Sequence, residues 1–322
     1  MATVKLDPEW HELSKMFPQV LPPVITDIAK TRKDVNAMIA AGHATLQVSD
    51  GIKETKHAIT SVDGTSINVH RFVPAAVAAA GSTPQRAILY SFGGGMIAGN
   101  VDTWRMDIKD LADRTESQVF AVDYRLAPEH PAPAAVEDVY SAAKWLQEHA
   151  SEFNVDPKRV VMHGRSAGGG ITAGTALMIR DKGDVQPPAA LVLRYPMLDD
   201  RTVVPADHPV QPYLTWTSAA NDYAWRVVLG NEREDRTDEN VTIYGAPARA
   251  KDLSGLPDTF IDTSALDLFV NEDTEFARRL TAAGVWVEFH LYPGVAHGFD
   301  AVKFMRVSKE AIASEENFIK RY

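Results

Sequence analysis

The chain has 322 residues, 45% of them hydrophobic and 24% charged, with a formal net charge of −10 and no cysteine. That content supports a sizeable buried core and argues against disorder. An acidic balance with no Lys/Arg-rich run argues against nucleic-acid or anionic-membrane partners. Without cysteine there can be no disulfide, thiolate metal site, iron–sulfur cluster or thiol nucleophile. The first thirty residues carry charges throughout and no continuous apolar run. No stretch approaches the roughly 18 apolar residues of a membrane span. A soluble, cytoplasmic protein is expected, with 1–322 as one α/β domain, a length such folds often reach.

In chain order, 1–50 reads as helical. Residues 53–60 and 65–73 alternate apolar and polar side chains around Asp63-Gly64, a hairpin signal. The patch PAAVAAAGSTP (74–84) reads as a loose connection. From Arg86 onward, short apolar runs alternate with helix-length segments. Strands are predicted at 87–90, 118–124, 159–164, 189–195, 256–263 and 285–292. Helices are predicted at 102–117, 134–152, 167–182, 271–283 and 300–321. Runs rich in Val, Ile and Leu without strict alternation fit strands buried on both faces. Their repetition with helices predicts a mostly parallel sheet covered on both sides. Residues 200–245 interrupt this rhythm with Pro, Trp, Tyr and the charged run NEREDRTDEN (231–240), which reads as a solvated loop.

The most informative segment is VVMHGRSAGGGITAG (160–174), where Gly164-x-Ser166-x-Gly168 ends a predicted strand and opens a predicted helix. A nucleophile elbow needs that context. The sharp turn strains the serine and lifts Oγ clear of the sheet, and the following N–H groups face an oxyanion. Serine also needs a base, and the base needs an orienting carboxylate. After Ser166 the histidines are His208, in the interruption, His290, within a predicted strand, and His297, on a glycine-flanked loop past the last strand. His297 is best placed to reach over the strand ends. Asp267 follows the strand at 256–263, with Asp258, Asp262 and Glu272 as competitors. The run SFGGGMIAG (91–99) follows an earlier strand, and its glycines let backbone N–H groups approach a substrate oxygen.

Several segments resemble the hormone-sensitive-lipase family of α/β-hydrolase esterases: FGGGMIAG (92–99), VDYRLAPEHPAPAAVED (122–138), GRSAGG (164–169), RYPMLDD (194–200), DLSGLP (252–257), SALDLFVNED (264–273) and VAHGF (295–299). The resemblance implies an α/β-hydrolase fold and carboxylesterase activity without a cofactor. It implies Ser166 as nucleophile, His297 as base and Asp267 as its orienter. The oxyanion donors would be the N–H groups of Gly94, Gly95 and Ala167, and a cap would form from about 1–50 and 200–245. Three positions depart from the family pattern: Phe92 in place of a histidine that braces the glycine loop, Arg165 in place of an acid beside the nucleophile, and Leu268 in place of proline. Arg165 could pair with a buried acid or meet an anionic substrate group. Asp123 and Arg125 read as structural.

Two other readings compete. Gly93-x-Gly95 with Asp123, and Tyr140 with Lys144, imitate a short-chain dehydrogenase binding NAD(P). The glycines lie too far along the chain for this, and Asn100 to Thr103 separate them from the helix start. Some members of the resembled family are receptors that bind a small molecule without turnover, but they lose the base that His297 supplies here. No HExxH, HxH or paired Asp-x-Asp cluster points to a metal. The substrate is expected to be a small ester, of short-to-medium acyl chain or a specialised ester or lactone. Met96, Arg165, Tyr213 and Trp216 are candidate pocket residues, and Trp10, Phe17, Tyr223 and Trp225 are further cap aromatics. The edge strand 285–292 could pair two copies into a homodimer.

Overall fold

The computed structural model describes residues 4–15, 25, 27–43, 46–79, 81 and 83–322. Among the described residues, two helices precede the sheet, α1 (Pro8–Ser14) and α2 (Ile28–His43). The hairpin around Asp63-Gly64 is present: β1 (Lys53–Thr60) and β2 (Ser66–Val73) pair antiparallel, Lys53 opposite Val73. The connection after it is less loose than its composition implied, because Ala75–Ala79 close into a short helix, α3, that buries Val77. Alanine's helix preference wins there over the neighbouring glycine and prolines.

The alternating segment follows: β3 (Gln85–Ser91), α4 (Val101–Thr115), β4 (Gln118–Asp123), α5 (Ala134–Glu148), β5 (Val155–Arg165), α6 (Ala167–Lys182) and β6 (Ala190–Arg194). After the interruption come α7 (Ser218–Leu229), lying within it, then β7 (Asp258–Leu266), α8 (Val270–Ala282), β8 (Val287–Ala296) and α9 (Arg306–Ile319). The strands form one sheet in the order β1-β2-β4-β3-β5-β6-β7-β8. All pairings from β4 onward are parallel, and β2 joins β4 antiparallel.

Ile88, Leu89, Val119, Phe120, Val161, Val192, Leu193 and Ile261 are no more than 1% exposed. Each such side chain contributes roughly 1.5–3 kcal/mol of burial. This explains why the central strands read as apolar runs rather than alternating ones.

Several boundaries differ from the sequence expectation; β8, for one, begins at Val287 and runs on to Ala296 instead of ending at 292. α5 stops at Glu148, and residues 149–154 turn sharply instead. β5 begins at Val155, ahead of Asp156-Pro157, through an irregularity in which Gln85 faces Val155 but Ala87 faces Val160. The last helix begins at Arg306, after a 3₁₀ turn at Phe299–Ala301.

The interruption leaves and rejoins the sheet through a clamp. Asp200, 1% exposed, accepts from Arg249 Nε at 2.6 Å and Nη2 at 2.8 Å, and Arg236 Nη1 donates to the Asp200 carbonyl at 2.9 Å. Arg236 is the buried member of the otherwise exposed or half-exposed run 231–240. No helix among the described residues is long and apolar enough to cross a membrane.

Candidate active site

Parallel strands end on one edge of the sheet, and the loops after them build the site. Ser166 sits between β5 and α6 at φ 54° and ψ −122°, a strained conformation for a residue with a side chain. Its neighbours cannot be larger. A β-carbon on Gly164 would lie 2.1 Å from the Gly168 carbonyl oxygen, and one on Gly168 would lie 2.1 Å from that of Ser91. The turn is also held from β6: Ser166 N–H donates to Arg194 O at 2.9 Å, and Met197 N–H donates to Ser166 O at 3.0 Å.

Asp267 is the first residue after β7 and His297 the first after β8. His297 Nδ1 lies 2.7 Å from Asp267 Oδ2, and Nε2 lies 2.9 Å from Ser166 Oγ. A carboxylate only accepts, so Nδ1 carries the proton and Nε2 is left as the acceptor for the serine hydroxyl. The Asp267 side chain is fully buried and that of His297 is 13% exposed. The second oxygen of Asp267 accepts from Phe269 N–H at 2.9 Å, which fixes the carboxylate plane.

The competing residues are engaged elsewhere. His208 is exposed, and His290, half-buried rather than buried, contacts Glu288 at 2.9 Å. Asp262 binds Arg194 through both oxygens, and Asp258 accepts from the Tyr322 hydroxyl. Glu272 accepts from Leu198 N–H at 2.6 Å and from the Thr202 hydroxyl.

The glycine loop after β3 folds onto itself, Ile97 and Ala98 N–H both donating to Gly94 O at 3.2 and 3.0 Å. Among the described residues, the N–H groups of Gly94, Gly95 and Ala167 have no protein acceptor. Phe92 takes the bracing role through its ring, stacked on Tyr124 at 4.0 Å and 14°. The Tyr124 hydroxyl also donates to Phe92 O at 2.6 Å. From α2, Arg32 donates to Ile97 O at 2.6 Å, and Asn36 Oδ1 accepts from Gly99 N–H at 2.8 Å. Asn100 then caps α4 by accepting from Thr103 N–H at 2.7 Å, so no open helix start awaits a phosphate here. Tyr140 and Lys144 both bind Asp184, away from the glycine loop. No group of three or more His, Asp or Glu among the described residues is disposed to hold a metal ion.

Of the candidate pocket residues, Trp216 lies against the glycine loop: a β-carbon on Gly95 would be 2.4 Å from its Cη2. The neighbouring Thr215 hydroxyl donates to His297 O at 2.8 Å. Met96 is 5% exposed, on the same loop, at φ 59°, and Tyr213 is half-buried against the core. Arg165 does not line the pocket. It is 1% exposed and turns beneath the sheet edge, ion-pairing with Asp107 at 2.9 Å and with Asp300. An unpaired guanidinium is too costly to bury, so the local acids capture it. Trp225 is a core residue at 0% exposure, Trp10 is buried, and Tyr223 lies beside Arg226; Phe17 lies outside the described residues. Asp123 and Arg125 serve the scaffold, Asp123 accepting from Val101 N–H and Arg125 gripping Asp138.

Sequence reasoning passed over Tyr195 and Phe269, whose rings meet the His297 imidazole edge-on at 4.8 and 5.2 Å. Both follow strand ends directly or within three residues, and that position was the available signal.

The sheet order and its loaded edge define an α/β-hydrolase. The sequence pattern of a family described as alpha/beta hydrolase fold matches residues 88–301. The chain is 38% identical over 215 residues to carboxylesterase NlhH of Mycobacterium tuberculosis, covering 66% of each chain. It is 34% identical over 218 residues to esterase LipI of the same organism, covering 66% of this chain and 65% of LipI. The matched stretch spans just under two thirds of the length of these relatives. A bacterial heroin esterase of known structure is 33% identical, with a TM-score of 0.86 over 98% of both chains. The protein belongs to the α/β-hydrolase family, in the hormone-sensitive-lipase group whose motifs it carries.

Proposed function

We propose that the protein is a carboxylesterase acting by acyl transfer through Ser166. The observation that carries this reading is the unbroken chain Ser166 Oγ, His297 and Asp267, at 2.9 and 2.7 Å, drawn from three strand ends. His297 Nε2 takes the hydroxyl proton as Oγ attacks the ester carbonyl. The N–H groups of Gly94, Gly95 and Ala167 hold the tetrahedral oxyanion, a contribution of about 3 kcal/mol per donor. His297 then protonates the leaving alcohol, and the same imidazole activates the water that releases the acid. Asp267 holds the tautomer and stabilises the imidazolium. The indole of Trp216 over Gly95 and the rings flanking His297 favour a small ester with a short-to-medium acyl chain. Two copies would pair through β8, one of the two outer strands of the sheet, where Trp286 just before the strand and Leu291 within it are 55% and 49% exposed.

A burst of p-nitrophenol from the acetate or butyrate ester, abolished in Ser166→Ala, is the expected result. A receptor without turnover would give no burst in the unaltered protein. Asp267→Asn should lower turnover by roughly 10⁴-fold. Near-normal turnover in a folded Asp267→Asn protein would move the orienting role to another acid.

A further inference from the structure

Beneath the site lies a cluster of charges that the acyl-transfer chemistry does not use. Arg165, Arg194, Asp107, Asp262, Asp300 and Glu315 are all no more than 2% exposed. Arg114 reaches Glu315 and Asp110, and Lys303 reaches Asp107 at 3.5 Å and Asp110 at 3.2 Å, so four cations face five carboxylates. Removing such ions from water costs several kcal/mol each, which makes a cluster of this kind weak as a source of stability. Its placement is more informative. Arg165 is the residue before Ser166, and Asp300 is three residues after His297.

Asp300 Oδ2 ion-pairs with Arg165 and lies 3.2 Å from Arg194 Nη2. Its Oδ1 accepts from the Tyr195 hydroxyl at 2.7 Å, and Arg165 Nη1 donates to that hydroxyl at 3.0 Å. The Tyr195 ring in turn rests edge-on against the His297 imidazole at 4.8 Å. His297 leaves β8 at its last paired residue, Ala296, and is followed by Gly298 at positive φ, so its imidazole is aimed from the very end of the strand. Nucleophile and base are therefore joined twice, once by their own hydrogen bond and once underneath, through Arg165, Asp300 and Tyr195.

We infer that Asp300 and Tyr195 are positioning residues that hold His297 against Ser166, with Arg165 tying them to the nucleophile turn. The inference rests on the acyl-transfer reading above. Displacing a reacting group by about 1 Å can cost 10²-fold in rate while substrate binding is untouched, so the loss should fall on kcat and not on KM.

The test measures kcat and KM for p-nitrophenyl acetate, together with the rate of Ser166 modification by a p-nitrophenyl phosphonate. The proteins compared are the unaltered enzyme, Ser166→Ala, Asp300→Asn and Tyr195→Phe. Asp300→Asn should lose about 30- to 100-fold in kcat and Tyr195→Phe about tenfold, with KM held within about twofold and phosphonylation slowed in proportion. Tyr195→Phe removes a single oxygen, so it decides the matter if Asp300→Asn does not fold. The inference is overturned if kcat in the folded variants falls less than about fivefold, or if KM carries the loss. An unaltered enzyme no more active than Ser166→Ala would sink the acyl-transfer reading itself. Activity in the unaltered enzyme that survives in both positioning variants would sink only this inference.

Discussion

The glycine loop after β3 and the Ser166 turn after β5 are neighbours on one edge, and each departs from its family's pattern at one residue. The loop accepts the departure with an apolar solution. Phe92, fully buried, stacks on Tyr124, whose hydroxyl closes back on the loop backbone. The turn accepts its departure with an ionic one, in which Arg165 reaches Asp107 and Asp300. A stacked ring pair asks little of its surroundings, whereas a buried guanidinium commits every acid around it. The two braces should therefore fail differently.

The largest effect is expected at the turn. Arg165→Met takes from the buried Asp107 and Asp300 the guanidinium they share and should cost about 3–5 kcal/mol, read by urea denaturation near pH 7. A cost close to 1 kcal/mol would mean that Arg194 and Lys303 neutralise these acids alone.

The pH dependence of that cost sharpens the contrast. Burial alone would raise Asp107 and Asp300 above their ordinary 3.8, but Arg165 and the other cations outweigh it and hold both well below that value. Carboxyls depressed in this way stabilise the fold above their unfolded values and lose that contribution as pH falls through their folded ones. The gap between the unaltered protein and Arg165→Met should thus hold steady from pH 7 to about 4 and narrow only as pH falls below the ordinary carboxyl value of 3.8. Asp262 has the opposite sign. Burial lifts it from 3.8 to about 6 despite Arg194, so its contribution is full below 3.8 and fades as pH rises through about 6. It is present in both proteins and largely cancels from the difference. A gap that stays constant as pH falls from about 4 toward 2 would remove the ionic account of Arg165.

The smallest effect belongs to the loop. Phe92→Leu loses the stack and some packing, about 1–2 kcal/mol, and that cost should be the same at pH 4, at pH 7 and in 1 M salt. A penalty that varied with pH or salt would show that the loop leans on the ions below it.

Much of this molecule was readable before any coordinates. The central strands announce themselves because burial on both faces demands unbroken Val, Ile and Leu. The turn at Ser166 does so because only small residues fit beside it. Asp267 and His297 were found by their position after strands, since the edge of a parallel sheet is where loops can converge. What stayed hidden was long-range and specific. That Arg165 would meet Asp107 and Asp300, 58 and 135 positions away in number, depends on how α4 and the last loop pack. The ring of Tyr195 against His297 depends on a positive φ of 37° that no residue type there signals. The strand start at Val155 was missed because Pro157 reads as a breaker, and the irregular pairing with β3 is what accommodates it.

The clamp formed by Asp200 and Arg249 brings together two points nearly fifty residues apart, with guanidinium contacts at 2.6 and 2.8 Å. Everything between them hangs from the sheet as a loop whose neck is already shut. Chain added to such a loop changes its closure entropy only logarithmically, about 0.6 kcal/mol for each doubling. Its outer parts, such as the exposed residues around 231–240, can accordingly grow or change shape, while Thr215 and Trp216 keep their contacts with His297 and Gly95.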